Sequence, residues 1–274
     1  MVSDSPSSPS SVKQAICEIG RRMYARGFVA GNDGNVSVRI GPDRVIATPT
    51  LVSKGFMTPD MLVLVDMDGQ VLEGTLRPSS ELKLHLRVYR DRPDVFAVVH
   101  AHPVAATGFA VVGQPLDTAY MPELVVNLGS VPVAEYATPS TDEVPDSIDR
   151  YVKDHNTVLL ANHGVLTWGR DLTEAYFRME TMESYAQILI AAGAVGVAKP
   201  LSSDKRKGLE EIRERLGIRG TLPRIWTEAA APAAPAAGPF SAAALEALVD
   251  RIAERVTEQV TERVLAALQA PPTK

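Results

Sequence analysis

Cysteine is almost absent from this chain of 274 residues, which contains only Cys17. A single cysteine cannot form a disulfide within the chain, so the sequence is not a small disulfide-stapled secreted scaffold. Cys17 lies in a helical pattern, and we interpret it as a small buried or half-buried core residue. This cysteine usage is typical of a reducing compartment, and we expect a cytoplasmic protein.

Long apolar runs and an excess of basic charge are also lacking. No apolar stretch reaches the roughly 20 residues of a membrane-spanning helix, and the start, MVSDSPSSPSS, has no secretory-signal pattern. The 28 Lys and Arg residues are outnumbered by 33 Asp and Glu residues, which gives a net charge of −5. No basic run is interleaved with aromatic residues, so neither nucleic acid nor a membrane is expected as a partner.

The apolar content and the distribution of Ser, Pro and Ala predict one sizeable core with appended segments. Apolar residues make up 45% of the chain, an ordinary share for a globular protein. Residues 1–10 are mostly Ser and Pro, which predicts disorder. We expect residues 11–226 to form the main domain, followed by an Ala/Pro linker over 227–240 and an amphipathic helix over 241–270.

The periodicity of apolar residues predicts a mixture of helices and strands. Alternation in NVSVRI and RVIATP, and again in LVLVD and QVLEG, predicts two β-hairpins. A helical period from Val12, with Ser11 as its cap, predicts a first helix that ends at Gly27. Asp171 is predicted to cap a long helix to about Ala192. Because the elements do not alternate strictly as βαβ, we expect an α/β fold with a largely antiparallel or mixed sheet.

Three of the five histidines stand where predicted strands end. His100 and His102 lie at the exit of the buried strand VFAVVHAH, where alternate residues share a face. His163 lies in the predicted tight turn NHG between two further strands. If these strands are neighbours, three neutral imidazoles converge, a set that suits Zn²⁺ and leaves a fourth position open. A hydrogen-bonded core histidine is the alternative, and for His85 and His155 we prefer a structural or solvated role.

Two polar segments have patterns that favour anion binding. Pro78 and Ser79 are helix-start signals, which predicts Ser79 and Ser80 at a helix N-terminus, where backbone N–H groups attract anions. Glu81 would lie in the first turn and is a candidate general base if a metal lies within reach. Simple capping is the alternative. In the glycine-rich loop GNDGN, Asn35 could donate to an oxyanion, although such a loop is more often an ordinary turn.

The segments GNVSVR, TPTLVSKG, RPSSE, VVHAH and NHG occur in an order that resembles the class II aldolase/adducin family. The resemblance spans roughly residues 12–219. It implies a three-layer α/β/α fold around a central, mostly antiparallel sheet, usually assembled as a homotetramer with active sites between subunits. It also implies one zinc ion per subunit, held by His100, His102 and His163.

The resemblance further implies roles for individual residues. Glu81 matches the catalytic acid/base, and Tyr120 in AYMPE matches a tyrosine that acts as an acid, with an amphipathic boundary residue as the alternative. Leu51 replaces a glycine of the family's phosphate loop, and a C-terminal tyrosine is replaced near Leu216. The implied phosphate pocket consists of Asn35, Thr50, Ser79 and Ser80.

The implied activity is a reversible retro-aldol cleavage. The substrate would be a ketose 1-phosphate of the fuculose or rhamnulose type, and the products dihydroxyacetone phosphate and a short aldehyde such as lactaldehyde. Sugar-phosphate 4-epimerases, decarboxylases and dehydratases share the scaffold, and the motifs do not separate them. The adducin type, a non-catalytic interaction domain, is expected to lack the metal histidines.

The C-terminal segment 241–270 predicts an amphipathic helix with an apolar stripe on one side and acidic residues on the other. It resembles the encapsulation peptides that carry enzymes into bacterial microcompartments, which implies a shell protein as partner. A helix that folds back on the main domain and a short oligomerising helix are the alternatives.

Overall fold

The computed structural model describes residues 8–138, 141 and 143–224. Contacts divide the chain into two units, Met1–Trp226 and Thr227–Lys274. The second unit lies outside the described residues, and so do the predicted linker over 227–240 and the predicted helix over 241–270.

A sheet of eight strands forms the centre of the domain, in the order β4-β3-β2-β1-β5-β8-β7-β6. Every neighbouring pair is antiparallel except β6 and β7. The predicted mostly antiparallel sheet is therefore confirmed. The strands are β1 (Asn35–Arg39), β2 (Arg44–Ala47), β3 (Val63–Asp66), β4 (Val71–Glu73), β5 (Ala97–Ala101), β6 (Val133–Ala134), β7 (Thr157–Leu160) and β8 (Gly164–Gly169).

Seven α-helices accompany the strands in the described part of the chain: α1 (Pro9–Ala25), α2 (Leu82–Asp91), α3 (Val104–Val111), α4 (Glu143–Ser147), α5 (Asp149–Val152), α6 (Leu172–Val195) and α7 (Ser203–Arg215). Short 3₁₀ turns at Lys54–Phe56 and Pro59–Met61, and a π-helical turn at Leu124–Leu128, complete the described structure. None of the described helices is both long and apolar enough to cross a bilayer.

Two hydrophobic cores, one on each face of the sheet, create the three-layer arrangement. Alternation along β5 sends Ala97 and Val99 into the core that α1, α3 and α6 cover. Val98 points to the opposite core, which α2, α4 and α5 cover. All five residues of β5 are buried, because helices cover both faces. Cys17, on α1, is 2% exposed, which confirms its assignment to the core.

Two helices begin at different residues from those predicted. The first helix starts at Pro9, because the Ser8 hydroxyl, and not that of Ser11, accepts the capping hydrogen bond. The predicted disorder over 1–10 is therefore wrong for its last two residues. The helix ends before Gly27, at φ +69°, as predicted.

The second difference concerns the segment before α2. Pro78 pairs with Pro49 in an isolated bridge, and the Ser79 N–H donates to the carbonyl of Thr48. These contacts keep the PSS segment extended, so α2 begins only at Leu82, with Glu81 as its N-cap residue. The predicted helix start at Pro78 and Ser79 is therefore wrong by three to four residues.

Candidate functional site

The three candidate metal ligands meet at one end of the two central strands. His100 is the penultimate residue of β5, and His102 follows that strand directly. His163 lies in the turn that joins β7 to β8, where Asn162 adopts φ +56°. Because β5 pairs with β8, the turn carrying His163 is brought beside the exit of β5. One nitrogen from each imidazole lies within 4.8 Å of the others.

The donor geometry of the three rings fits a divalent metal ion. The Nε2 atoms of His100 and His102 are 3.1 Å apart. Ligand nitrogens about 2.05 Å from a tetrahedral zinc are separated by about 3.3 Å, so the spacing suits that ion. The Nδ1 of His100 lies 2.9 Å from the carbonyl oxygen of Val165. That carbonyl can only accept, which places the proton on Nδ1 and leaves the Nε2 lone pair facing the centre.

Burial keeps two of the three rings in the neutral form that a metal requires. Burial lowers the pKa of His100 to about 3, and it also lowers the pKa of His102, with the neighbouring His163 lowering it further. Both imidazoles are therefore neutral near pH 7 and can offer a lone pair. The half-exposed carboxylate of Asp33 lies 3.6 Å from the Nδ1 of His102, on the outer side of the cluster.

Glu81 bridges the histidine cluster and the loop before β1. Its Oε1 lies 3.1 Å from the Nε2 of His163, and its Oε2 lies 3.3 Å from the Nε2 of His100. The side-chain amide of Asn35 donates to Oε2 at 2.8 Å. Burial alone would raise the pKa of Glu81, but the proximity of His100 and His163 and the hydrogen bond from Asn35 hold it below its ordinary value. The group is therefore a carboxylate at neutral pH.

A pocket of about 190 Å³ opens over this cluster and contains most of the residues predicted from sequence. Thr50, Ser79 and Ser80 line it together with Glu81, His102 and His163. The hydroxyl of Ser79 accepts from the N–H of Glu81 at 3.3 Å, so it caps the turn as well as lining the pocket. Asn35 also lines the pocket, although its amide N–H₂ is directed to Glu81.

Leu51 occupies the position where the family resemblance implies glycine, and its backbone retains a glycine-like conformation. Its φ is +61°, a left-handed value that residues other than glycine seldom adopt. Its side chain is 76% exposed at the rim of the pocket. The substitution has therefore changed the side chain at the rim while leaving the loop backbone in the conformation that glycine favours.

Sequence reasoning missed Lys54, which is 1% exposed and lines the same pocket. Its ammonium donates to the carbonyls of Asn32 and Val52, both at 2.7 Å, and so joins the two loops beside the pocket. Burial lowers the pKa of Lys54 to about 8. No local signal distinguishes this lysine from a surface one, because its burial depends on α1 packing over the turn that carries it.

Tyr120 and Leu216 lie away from this pocket. Tyr120 is half-buried in the segment before the π-helical turn, packs against the core of α1, α3 and α6, and does not line the pocket. Burial raises its pKa. Leu216 is 53% exposed at the end of α7. The structure of the chain therefore brings together every predicted site residue except Tyr120.

The remaining two histidines occupy structural positions, as their sequence context predicts. His85 on α2 is buried, and its Nδ1 lies 2.7 Å from the Ser37 hydroxyl on β1. The Nδ1 of His155 lies 3.2 Å from the carbonyl of Tyr151, one turn earlier in the chain. Neither belongs to the cluster at the pocket.

Comparisons with known proteins agree with the motifs. Residues 14–190 match the family model described as Class II Aldolase and Adducin N-terminal domain. The chain is 33% identical over 171 residues to the L-fuculose phosphate aldolase of Methanococcus maripaludis, a match that covers 62% of this chain and 92% of that protein. It is also 33% identical over 181 residues to the 3-oxo-tetronate 4-phosphate decarboxylase of Haemophilus influenzae, covering 64% and 85%. A solved structure of L-fuculose 1-phosphate aldolase superposes with a TM-score of 0.70 at 31% identity, covering 76% of this chain and all of that one.

Proposed function

The chain belongs to the class II aldolase and adducin family, and we propose that it is a zinc-dependent lyase that cleaves a ketose 1-phosphate reversibly by retro-aldol chemistry. The products would be dihydroxyacetone phosphate and a short aldehyde such as lactaldehyde. The observation that supports this proposal best is the meeting of three imidazoles with one half-buried carboxylate beside a pocket rich in hydroxyl groups. A non-catalytic adducin-type domain would have no need of that arrangement.

The proposed roles follow from the positions of the side chains. Cleavage of a C–C bond beside a carbonyl leaves negative charge on the carbonyl oxygen, and a zinc ion held by His100, His102 and His163 would supply Lewis-acid stabilisation of that charge. Thr50, Ser79 and Ser80 would hold the phosphate and so fix the position of the rest of the substrate.

Glu81 would carry the proton at the reacting carbon. It is a carboxylate at neutral pH, and the hydrogen bond from Asn35 fixes the direction of its Oε2. In the cleavage direction the carboxylic acid form would deliver a proton to the carbon of the dihydroxyacetone phosphate half. In the condensation direction the carboxylate would remove that proton.

Tyr120 would exchange a proton with the oxygen of the departing aldehyde. Because Tyr120 does not line the pocket of its own subunit, we propose that it serves the pocket of a neighbouring subunit in a homotetramer. Mixing a Tyr120→Phe protein with a Glu81→Gln protein tests this arrangement. Recovery of activity in mixed assemblies is expected, whereas the absence of recovery in verified mixed tetramers would show that each active site takes both residues from the same subunit.

A second candidate function is decarboxylation of a 3-oxo-acid phosphate. It is favoured by the relatives named 3-oxo-tetronate 4-phosphate decarboxylase, which are as similar to this chain as the aldolases are. Loss of CO₂ beside a carbonyl leaves the same negative charge as C–C cleavage, so the same side chains would serve either reaction.

A product assay distinguishes the two functions. Purified protein with one equivalent of Zn²⁺ is incubated with a panel of ketose 1-phosphates and with 3-oxo-tetronate 4-phosphate, and dihydroxyacetone phosphate, aldehyde and CO₂ are measured. We expect dihydroxyacetone phosphate and aldehyde in equal amounts. Release of CO₂ together with dihydroxyacetone phosphate from 3-oxo-tetronate 4-phosphate, with no aldehyde from any ketose 1-phosphate, would assign the chain to the decarboxylases. Release of no product from any substrate would contradict the proposal.

We also propose that the C-terminal segment directs the enzyme into a bacterial microcompartment, within the cytoplasm, by binding a shell protein. The support is the sequence pattern of residues 241–270 and the Ala/Pro linker over 227–240. Residues 241–274 fused to a fluorescent reporter should form foci with co-expressed shell proteins. A fusion that stays diffuse in those cells would refute this assignment.

A further inference from the structure

A second charged cavity lies beside β5 and β8, at the end of these strands opposite to the histidines. Its volume is about 220 Å³, slightly larger than the 190 Å³ of the histidine pocket. Asp94 and Val95, which precede β5, and Gly169, the last residue of β8, line it, together with the loop after α7. The histidines lie at the far end of β5 from Asp94, so at about 3.3 Å per residue the two sites are roughly 20 Å apart.

Four arginines line this cavity against two carboxylates: Arg92, Arg170, Arg178 and Arg219 against Asp94 and Glu174. Arg92 forms a two-pronged ion pair with Asp94, at 2.8 and 2.9 Å. Arg170 and Arg178 share the single carboxylate of Glu174, at 3.2 and 3.0 Å. The lining therefore carries two positive charges more than its carboxylates neutralise.

Arg178 has an unsatisfied donor within this cluster. Its side chain is 7% exposed, and its Nη groups donate to the carbonyl of Trp168 and to Glu174. Its buried Nε has no hydrogen-bond partner among the described residues. A buried N–H without a partner costs about 1–3 kcal/mol, so a group that accepts from it would stabilise the site.

We propose that this cavity is a second ligand site, and that it binds the oxyanion of free phosphate or of a small phosphorylated metabolite. Arginine guanidinium groups recognise planar or tetrahedral oxyanions through paired N–H donors, and four of them line the cavity. A bound dianion would offset the two excess positive charges and could accept from the Nε of Arg178. Burial, reinforced by the charges of neighbouring arginines, lowers the pKa of Arg178 to about 10, which agrees with a cationic cluster that favours an anion.

The test measures the unfolding temperature of the full-length protein against the concentration of inorganic phosphate, at constant ionic strength. The histidine pocket is also expected to bind phosphate, so the measurement is made in a Ser79→Ala/Ser80→Ala background. We expect a phosphate-dependent rise of about 2 °C or more to remain in that background, because a ligand that binds only the folded state raises its stability. Absence of any rise would overturn the proposal.

Replacement of the two exposed arginines of the cavity identifies the site without disturbing the buried ones. Arg170→Gln/Arg219→Gln, in the same background, should lose most of the phosphate-dependent rise. The charge-matched control is Arg44→Gln combined with Arg21→Gln, since both are exposed and neither lines the cavity. An equal rise in the cavity variant and in the control would show only non-specific screening and would refute the site.

The source of the oxyanion is distinguished by a second probe. Glycerol 3-phosphate is compared with inorganic phosphate at equal concentration in the same background. A larger rise with glycerol 3-phosphate would assign the cavity to phosphorylated metabolites, and an equal rise would assign it to free phosphate. Because the readout is unfolding and not turnover, the result does not depend on which reaction the histidine pocket performs.

Discussion

Replacement of Glu81 by Gln separates proton transfer from metal binding at the candidate site. Glutamine has nearly the same shape as glutamate and keeps one oxygen that can accept from the Asn35 amide, which now donates to Oε2 at 2.8 Å. The other terminal atom becomes an N–H₂ group, which cannot accept a proton at any accessible pH. The carboxylate contacts with His163 and His100, at 3.1 and 3.3 Å, lose their charge.

The expected size of the effect follows from the role assigned to Glu81. A positioned general acid or base contributes about 10²–10⁴-fold to the rate, which corresponds to about 3–5 kcal/mol of barrier. We therefore expect kcat for dihydroxyacetone phosphate formation to fall by about 10³-fold. Because all three imidazole ligands remain, zinc content should stay near one ion per subunit.

The assay couples dihydroxyacetone phosphate formation to NADH oxidation, with metal content measured on the same samples by mass spectrometry. Asp33→Asn is the matched control, since it removes the same charge from the same pocket at a half-exposed position 3.6 Å from His102. That control should retain kcat within about 10-fold, the lower range for an outer partner of a metal ligand. A Glu81→Gln protein that keeps full zinc and more than a tenth of the wild-type kcat would exclude Glu81 from proton transfer.

Three further predictions concern the ligands and the phosphate loop. His163→Ala should lose both zinc and activity, and full zinc occupancy measured in that variant would contradict the ligand set. Lys54 has a pKa of about 8, so its positive charge is present below that pH and is lost above it. KM for the phosphorylated substrate should therefore rise above pH 8. Lys54→Met should show a raised KM with no such pH dependence. Leu51→Gly should relieve the left-handed backbone strain of Leu51, about 1–2 kcal/mol, at a cost of about 0.5–1 kcal/mol for the added flexibility of glycine. Thermal unfolding should therefore show a small stabilisation, and a clear loss of stability would refute the strain at this loop.

The fold was largely predictable because its signals are local. Period-2 alternation predicted both early hairpins, and Asp171 caps α6 as expected, accepting from the N–H of Glu174. The buried strand that ends at His100 and the glycine-flanked turn at His163 were both visible as patterns. The family motifs then made the three-layer arrangement an expectation that the structure and the comparisons confirm.

One of the two errors at helix starts occurred where a distant segment overrides a local preference. Pro78 and Ser79 read as a helix start, but pairing with Pro49 and Thr48 holds them extended. The other error is local: Ser11 read as a cap, yet the hydroxyl of Ser8, three residues earlier, accepts the capping hydrogen bond. A capping preference such as that of Ser79 is worth about 1 kcal/mol, which a few tertiary hydrogen bonds can outweigh.

The amino-acid sequence by itself determined which residues carry the chemistry: a paired histidine at a strand exit, a third in a tight turn, and a carboxylate beside two serines. Only the tertiary structure decided which of them meet. The contact between Glu81 and His163 requires that α2, which begins after Glu81, packs against the sheet in which β8 follows His163. It also decided the burial of Lys54, the position of Tyr120 outside its own pocket, and the gathering of four arginines at the opposite strand ends. The physical reason is that backbone periodicity is local, whereas the burial of a charge depends on segments that lie far apart in the chain.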